Sequence, residues 1–493
     1  MHTQIIPEIP ADEQMLILIP VPDVQAKKEP TTPRAQATPQ FIQTEYLENQ
    51  LLLLPPTIEQ FVTHDAPARI LRSMLDKLNV DAFREDCKGG GRPSYDPVVL
   101  IRIIIFGLLK GLRSSRVLED LTAKHMDYMF LANMAKPDYR TIARFRARHE
   151  ERINALYLET VKLGSVSGMI DLKHVSIDGT KIEANAAKHR YRSEQELDEL
   201  IQKADEVGRA LLEEWKRNDQ NDDSDEAKKL KQKVMSAQQI EQQLQDAKKA
   251  LASRENAKGI VVTDLDSRMM KHRSGLRPGY NAQAVVDSNS QMIIAAVVVQ
   301  DEGDNLQFKP MVEEAFLNMA AYPEKISADG GYWSDEALQY SDEKKLDAYI
   351  APSGVDPAAL EGWIHDKIND TLTGPNGDIY VFEKIRNQKD KHDKKRKYRV
   401  YFCKETDSRK WMRVDIPNYT EKQKKTSTPE GAAVYMWRKA IVEPVFGHIK
   451  VSYGFRRLHL RGLTGAKIEY KLACIAHNIS KLMKNHAQIL SRA

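Results

Sequence analysis

The stretch Lys173-His174-Val175-Ser176-Ile177-Asp178-Gly179-Thr180 decides the interpretation of the fold. Its β-branched and apolar residues predict a short strand, which ends on an acid and turns at once at Gly179. The stretch Lys325-Ile326-Ser327-Ala328-Asp329-Gly330-Gly331 repeats the pattern, because an apolar run again ends on an acid followed by glycine. We therefore predict two strands that end in Asp178 and Asp329.

Further apolar runs around these two stretches predict the remainder of a sheet core. Residues 279–286 and 292–300 are dense in Val and Ile, which is typical of strands buried on both faces. Residues 346–350, just before Pro352, predict the next strand. Near the end of the chain, apolar spacing predicts one helix around residues 435–449 and another from Leu463 to about Lys484.

Three acids in this order suggest a metal-dependent reaction on a phosphodiester. Asp178 and Asp329 follow strands, and Glu443 lies on the later helix. Such a set suits two divalent cations about 3.5–4 Å apart, which stabilise both the attacking and the leaving oxygen. Oxygen ligands favour Mg²⁺ or Mn²⁺. Each acid alone is weak evidence, because an Asp after a strand is more often a turn former or a helix cap than a metal ligand.

Other acids compete for the second position. Asp287 and Asp301 also follow strand-like runs, but neither precedes Gly-Gly, and a hairpin turn with Ser288 and Asn289 accounts for Asp287. Asp264 and Asp266 precede the core strands and are expected to be structural.

The region before Asp178 is predicted to be a helical domain over residues 46–165. Asp96-Pro97 is a helix start, and Pro137-Asp138 begins a helix that runs from Tyr139 to about Glu150. On that helix Arg140, Arg144 and Arg148 recur every four residues, so one face is cationic and suited to DNA. A solvated basic face is the alternative.

Three other segments complete the organisation. Residues 1–45, rich in Pro, Gln and Thr, predict a disordered leader. Residues 191–258 predict a charged helical hairpin inserted into the catalytic domain, which spans 166–190 and 259–485. Residues 354–430 predict a polar, basic and irregular insertion, whose stretch 384–399 either follows a DNA backbone or is a solvated loop.

Composition narrows the protein class without identifying a partner. The net charge is +4 with a pI near 8.6, so the position of the basic residues matters more than their excess. Cys87, Cys403 and Cys474 are far apart, which excludes a disulfide framework or a zinc ribbon as the basis of the fold. With no membrane span or secretion signal in the pattern, we expect a soluble cytoplasmic protein.

The three acidic blocks resemble those of DDE-type bacterial insertion-sequence transposases. The matching segments are Ser176-Ile177-Asp178-Gly179-Thr180, Ala328-Asp329-Gly330-Gly331-Tyr332 and the helix around Glu443, in the family's order. Pro93-Ser94-Tyr95-Asp96-Pro97 and the Ile/Leu-rich helix after it are similar to the segment that precedes catalysis in such enzymes. The resemblance implies a multidomain α + α/β fold, in which a helical N-terminal domain precedes an RNase H-like mixed-sheet domain interrupted by the helical insertion.

The resemblance also implies roles for basic residues near Glu443. The subgroup has a Tyr, Arg, Glu, Lys signature, and Lys450 has the expected spacing of seven residues after Glu443. Lys450 would hold a DNA phosphate, with a solvated Lys as the alternative. Upstream the signature departs: Lys439 and Met436 fill the Arg and Tyr positions, with Arg438 and Tyr435 each one residue early. Only Cys403 stands where many relatives have paired cysteines, so no structural zinc is assigned.

The implied function is DNA transposition. Asp178, Asp329 and Glu443 would bind Mg²⁺ or Mn²⁺ as two ions, and Arg456, Arg457 and Arg461 would contact DNA or pair with acids of the insertion. The partners would be double-stranded transposon ends and target DNA, bound by a homodimer or higher assembly in which the insertion helps either dimerisation or DNA binding. The rivals are a nuclease of the same fold that does not join ends and an inactive copy that only binds DNA.

Overall fold

The structure is a computed structural model that describes residues 57–85, 94–217, 225–255, 257–272, 274–353, 356, 359–389 and 395–492. The predicted disordered leader, residues 1–45, lies outside these ranges. Within them, no helix combines the length and the apolar character needed to cross a membrane.

The N-terminal part of the described chain is helical, as predicted. Its helices are α1 (Ile58–Phe61), α2 (Pro67–Leu75), α3 (Ala82–Glu85), α4 (Pro97–Leu109), α5 (Ser115–Lys124), α6 (Met126–Leu131), α7 (Tyr139–Arg148) and α8 (Glu150–Val166). Asp96 begins α4 by accepting a hydrogen bond from Val98 N, and Asp138 caps α7 through Arg140 N and Thr141 N. Helix α4 is buried along nearly its whole length, which explains its Ile- and Leu-rich sequence.

The first strand of the central sheet, β1 (His174–Glu183), leads into the helical insertion. There α9 (Glu194–Arg217) and α10 (Asp225–Ala252) pack side by side, with Leu197 buried against residues of α10. The short antiparallel pair β2 (Tyr191–Arg192) and β3 (Ile260–Val261) closes the base of the hairpin. Residues 218–224, between the two helices of the predicted hairpin, lie outside the described ranges.

The central sheet is mixed. Its other strands are β4 (Arg268–His272), β5 (Gly275–Asp287), β6 (Ile293–Val299), β7 (Lys325–Ala328) and β8 (Asp347–Ile350), with α11 (Phe308–Met319) before β7 and α12 (Asp335–Glu343) before β8. The order is β4-β5-β1-β7-β8, with β6 also beside β5; β5 runs antiparallel to β1 and β6, whereas β7 and β8 run parallel to β1. The predicted fold class, helical region plus RNase H-like mixed sheet with a helical insertion, is confirmed.

The described part of residues 354–430 is not irregular, which corrects the prediction for this segment. It includes a five-stranded antiparallel sheet of β9 (Ile364–Asp366), β10 (Thr371–Thr373), β11 (Ile379–Lys389), β12 (Lys395–Cys403) and β13 (Ser408–Arg413). A small core of Leu372, Tyr380, Tyr401, Cys403 and Met412 supports it. Most of β11 is exposed, so its sequence lacks the alternation of buried and polar residues that reveals a strand.

The chain ends in three helices that return to the central sheet. They are α13 (Tyr419–Lys425), α14 (Pro429–Gly447) and α15 (Gly462–Arg492). Helix α14 packs against β1, β7 and β8, while α15 contacts β6 together with α8, α4 and α2 of the N-terminal region. The described residues therefore cluster as one unit, in which α15 joins the helical region to the sheet.

Candidate active site

Asp178 lies inside β1 and not at its end, which corrects the predicted turn at Gly179. The strand continues to Glu183, paired with β5 as far as Gly279. On the other side, parallel pairing with β7 stops at Ile177 and Ala328. Asp178 is thus the first residue of β1 beyond the end of β7, where one strand edge becomes open to a ligand.

Asp329 is the residue that follows the last pair of β7, so the parallel register brings it beside Asp178. Its Oδ1 accepts a hydrogen bond from Gly331 N at 2.8 Å, which forms the tight turn through Gly330–Tyr332. The two acids therefore come together as the sequence predicted, through strand pairing and not through proximity in sequence.

Glu443 is exposed on α14, directly before Pro444. Pro444 has no N–H to donate to the carbonyl of Ala440, one turn earlier. The side chain of Gln291, from the turn between β5 and β6, donates Nε2 to that carbonyl at 2.9 Å. A neighbouring element thus replaces the missing helical hydrogen bond beside Glu443.

A cavity of about 760 Å³ brings most of the predicted groups together. Its lining includes Asp178, Glu443, Lys450 and Arg456, but not Asp329. Lys450 lies in a π-helical turn, His448–Ser452, that continues α14, and its Nζ donates to the carbonyl of Lys181 at 2.9 Å. That carbonyl lies on β1 beyond the end of β7, so Lys450 reaches the same open part of the strand as Asp178.

Arg438 belongs to this site, although the sequence left its role open. It is buried, its Nη1 lies 3.2 Å from Asp178 Oδ2, and its guanidinium packs over Tyr435. Burial raises the pKa of Asp178 to about 6; Arg438 opposes that rise, while the charges of Asp329 and Asp304 add to it. Burial is thus the main reason why Asp178 holds its proton more readily than a solvated carboxyl, even with Arg438 beside it.

Sequence reasoning missed a second group, on the other face of β1. Asp304, ahead of α11, accepts hydrogen bonds from Asn281 and Gln283 and pairs with Lys181 at 3.2 Å. Tyr332 donates its hydroxyl to Gln283. A signal was present: Asn281 and Gln283 are polar residues at alternate positions of the predicted buried strand 279–286, and buried polar side chains require partners.

The predicted arginines near the end of the chain lie on the segment between α14 and α15. Residues 456–458 add to the end of β1, since Glu183 N donates to Arg456 O and Leu458 N donates to Glu183 O. Of the three, Arg456 lines the cavity, whereas Arg457 and Arg461 donate Nε to the carbonyls of Ala184 and Asn185. All three are exposed.

Arg140, Arg144 and Arg148 are all exposed on α7, as a DNA-contacting face requires. Ile142 and Phe145 are buried on the opposite side. Arg146 is also buried and donates to the carbonyl of Arg113, which gives it a structural function.

The competing acids have structural hydrogen bonds. Asp287 is buried in the β5–β6 turn and accepts hydrogen bonds from Leu172 N and Asn289 N. Asp301 accepts one from Gln307. Asp264 binds the Tyr280 hydroxyl, and Asp266 binds Leu463 N.

The donor set fits a hard divalent cation. Asp178 and Asp329 supply adjacent carboxylates, and carboxylate oxygens are ligands that hard divalent cations prefer. Within the described residues, however, no three His, Cys, Asp or Glu side chains already converge as a closed metal site. Glu443 lines the same cavity as Asp178 but does not converge with the two aspartates in this structure.

Two family models match parts of the chain. Residues 257–479 match the family model of the transposase DDE domain, and residues 56–148 match that of the transposase domain DUF772. A search of curated proteins finds no match. Among solved structures, a piggyBac transposase in a synaptic complex with hairpin DNA is similar at 10% identity and a TM-score of 0.30, over 84% of this chain and 72% of that chain.

The two family matches follow one another along the chain, one over the helical region and the other over the mixed sheet from β3 into α15. The second match includes Asp329 and Glu443, and the sheet places Asp178 next to Asp329. On these grounds the chain belongs to the DDE-type transposases.

Proposed function

We propose that this transposase binds the terminal repeats of its own insertion sequence, hydrolyses a phosphodiester at their ends and joins the released end to target DNA. The observation that supports this most strongly is the juxtaposition of Asp178 and Asp329 by parallel strands, beside a cavity that also holds Glu443 and Lys450. A carboxylate pair next to cationic side chains suits a phosphate substrate and its cation.

Asp178 and Asp329 would hold divalent cations, Mg²⁺ or Mn²⁺, with Glu443 completing the set. Two such ions, when bound, stabilise the attacking and leaving oxygens of an in-line displacement. Lys450 is held by the carbonyl of Lys181 and presents its charge in the cavity, where it would bind a DNA phosphate. Arg438 fixes the orientation of the Asp178 carboxylate through Oδ2.

Three basic surfaces are proposed to bind DNA. Arg140, Arg144 and Arg148 on α7 would contact the transposon end, and Arg456, Arg457 and Arg461 the DNA beside the scissile phosphate. Strands β11 and β12 present further exposed basic residues. Phosphate contacts of this kind give an affinity that falls steeply with salt concentration.

Synapsis of two ends would require a homodimer or a higher assembly. The paired helices α9 and α10 project a charged surface suited either to dimerisation or to DNA. Joined ends form only if both reach target DNA together, so the assembly is a part of the proposed function.

The test is cleavage of DNA that carries the element's terminal repeats, in Mg²⁺ or Mn²⁺. We expect cutting at the repeat boundary by the unaltered chain and its loss in Asp178→Asn, Asp329→Asn and Glu443→Gln. Asp301→Asn is the matched control, because this acid also follows a strand but binds only Gln307 among the described residues. Cutting by Asp329→Asn, or its loss in Asp301→Asn, would contradict the assignment of the second acid.

A further inference from the structure

A buried polar network crosses β1 at Gly179. Asp304 Oδ1 accepts hydrogen bonds from Asn281 Nδ2 and Gln283 Nε2, each at 2.7 Å. Gln283 then accepts the hydroxyl of Tyr332 through Oε1. Asn281, Gln283 and Tyr332 are fully buried, so these hydrogen bonds replace contacts with water that the side chains have lost.

The network depends on the absence of a side chain at Gly179. Gln283 is paired with Gly179 across the strands. A Cβ at Gly179 would lie 2.8 Å from Asp304 Oδ1 and would also clash with the amide of Gln283. With glycine there, the Gln283 side chain passes over β1 and reaches the residues that follow β7.

Asp304 determines which way the Gln283 amide points. An ionised carboxylate only accepts hydrogen bonds, so the nitrogen of the amide must face Asp304 and the oxygen must face away from it. That oxygen then accepts the Tyr332 hydroxyl. Lys181 pairs with the same carboxylate at 3.2 Å and offsets its charge.

Tyr332 completes the turn that starts at Asp329. Asp329 Oδ1 accepts the hydrogen bond of Gly331 N, and Tyr332 N donates to Asp329 O at 3.1 Å. Backbone pairing between β1 and β7 has already ended at Ile177 and Ala328. The hydroxyl of Tyr332 therefore anchors the turn to β5, the strand that is in register with Asp178.

We propose that Tyr332, Gln283 and Asp304 are positioning residues, which hold the Asp329 carboxylate at a fixed place beside Asp178 for cation binding. This inference rests on the proposed function, in which Asp329 is a cation ligand. Substitution of residues that orient metal-binding side chains through hydrogen bonds typically lowers metal affinity or activity by about 10-fold to 100-fold.

The experiment compares Tyr332→Phe with Tyr349→Phe in the full-length chain. Tyr349 is also buried in the central sheet, on β8, and donates its hydroxyl to Asp347 at 3.2 Å. Each variant loses one tyrosine hydroxyl with a hydrogen bond, but only Tyr332 is tied to the Asp329 turn. Mn²⁺ binding is measured directly by electron paramagnetic resonance, and the Mn²⁺ concentration for half-maximal cleavage of a terminal-repeat DNA is measured in parallel.

We expect Tyr332→Phe to weaken Mn²⁺ binding and to raise the half-maximal Mn²⁺ concentration by about 10-fold or more. Tyr349→Phe should change both by less than about 2-fold, and binding of the DNA end without metal should be the same in both. If Tyr332→Phe does not fold, Gln283→Glu replaces it, since it keeps an acceptor for Tyr332 but loses the donor to Asp304. An equal, small effect of the two tyrosine variants would overturn the inference.

Asp329→Asn separates this inference from the function on which it rests. If Asp329→Asn abolishes Mn²⁺ binding while Tyr332→Phe leaves it unchanged, the assignment of the cation site holds and the positioning role of Tyr332 is wrong. If Asp329→Asn leaves Mn²⁺ binding unchanged, both the proposed function of Asp329 and the inference built on it are overturned.

Discussion

Replacing Glu469 by Gln removes one charge from a buried ion pair and preserves the size of the side chain. Glu469 is 1% exposed, and its Oε2 accepts hydrogen bonds from Arg113 Nη2 at 3.3 Å and from His459 N at 2.7 Å. Glutamine can still accept from His459 N. Arg113 belongs to the helical region and packs against the segment between α14 and α15. The variant therefore tests how much the negative charge of Glu469 stabilises this packing.

The expected loss follows from the surroundings of Arg113. Burial lowers the pKa of its guanidinium, and Glu469 is the charge that favours the protonated form. Breaking a buried ion pair typically costs about 3–5 kcal/mol, because the remaining charge stays buried. Arg113 keeps hydrogen bonds to the carbonyls of Gly454 and Arg457 and packs over Phe455, so we expect a loss near the lower limit, about 3 kcal/mol.

The assay is urea denaturation, followed by tryptophan fluorescence and circular dichroism. Glu159→Gln is the control, because Glu159 pairs with Lys162 at 3.2 Å on an exposed helix surface. We expect a change below about 0.5 kcal/mol in the free energy of unfolding for that control. A loss below about 1 kcal/mol in Glu469→Gln would refute the reasoning, since the buried charge would then be compensated without its partner.

Three further predictions concern a buried histidine of α15 and two residues that support the site. Burial lowers the pKa of His477 from 6.5 to about 3, so unfolding between these pH values takes up a proton. The free energy of unfolding should therefore fall by up to about 1.4 kcal/mol per pH unit as the pH decreases from 6.5. In His477→Gln this free energy should fall less steeply with pH. Gln291→Ala leaves the carbonyl of Ala440 without its hydrogen-bond donor. The free energy of unfolding at pH 7 should fall by about 1 kcal/mol, and DNA cleavage should decrease. Unchanged cleavage would show that this contact does not position α14. Gly179→Ala should abolish cleavage while binding of DNA ends persists, because its methyl group would lie 2.8 Å from the Asp304 carboxylate. Full cleavage would show that the hydrogen-bond network of Asp304 accommodates the methyl group without disturbing the site.

The sequence alone was sufficient to predict that a strand leads to each of the two aspartates. A short apolar run that ends at Asp329-Gly330-Gly331 allows few structures other than a strand and a tight turn, and β7 ends at Ala328 as expected. The strand at Asp178 was predicted too short, because pairing with β5 carries it through Gly179 to Glu183. The sequence of one strand does not show how far its pairing with a neighbouring strand extends.

The remaining features depend on contacts between distant residues. Arg438 reaches Asp178 only because α14 is rotated so that Arg438 faces β1, and the rotation comes from packing against the sheet. Gln283 binds Asp304 through its nitrogen and Tyr332 through its oxygen, and the three residues come from separate segments of the chain. The inserted sheet was missed because strand pairing, and not burial of alternate residues, stabilises β11. Domain boundaries and the roles of the site residues stay predictions.

The most direct test of the central claim is the joining of a precleaved DNA end. A duplex that carries the element's terminal repeat with a free 3′-hydroxyl is incubated with target DNA and Mg²⁺, using the unaltered chain and Asp329→Asn. A DDE transposase that works as proposed links the 3′-hydroxyl to the target, and Asp329→Asn does not. If the unaltered chain binds the precleaved end but never links it to target DNA, the strand-transfer function proposed here is contradicted.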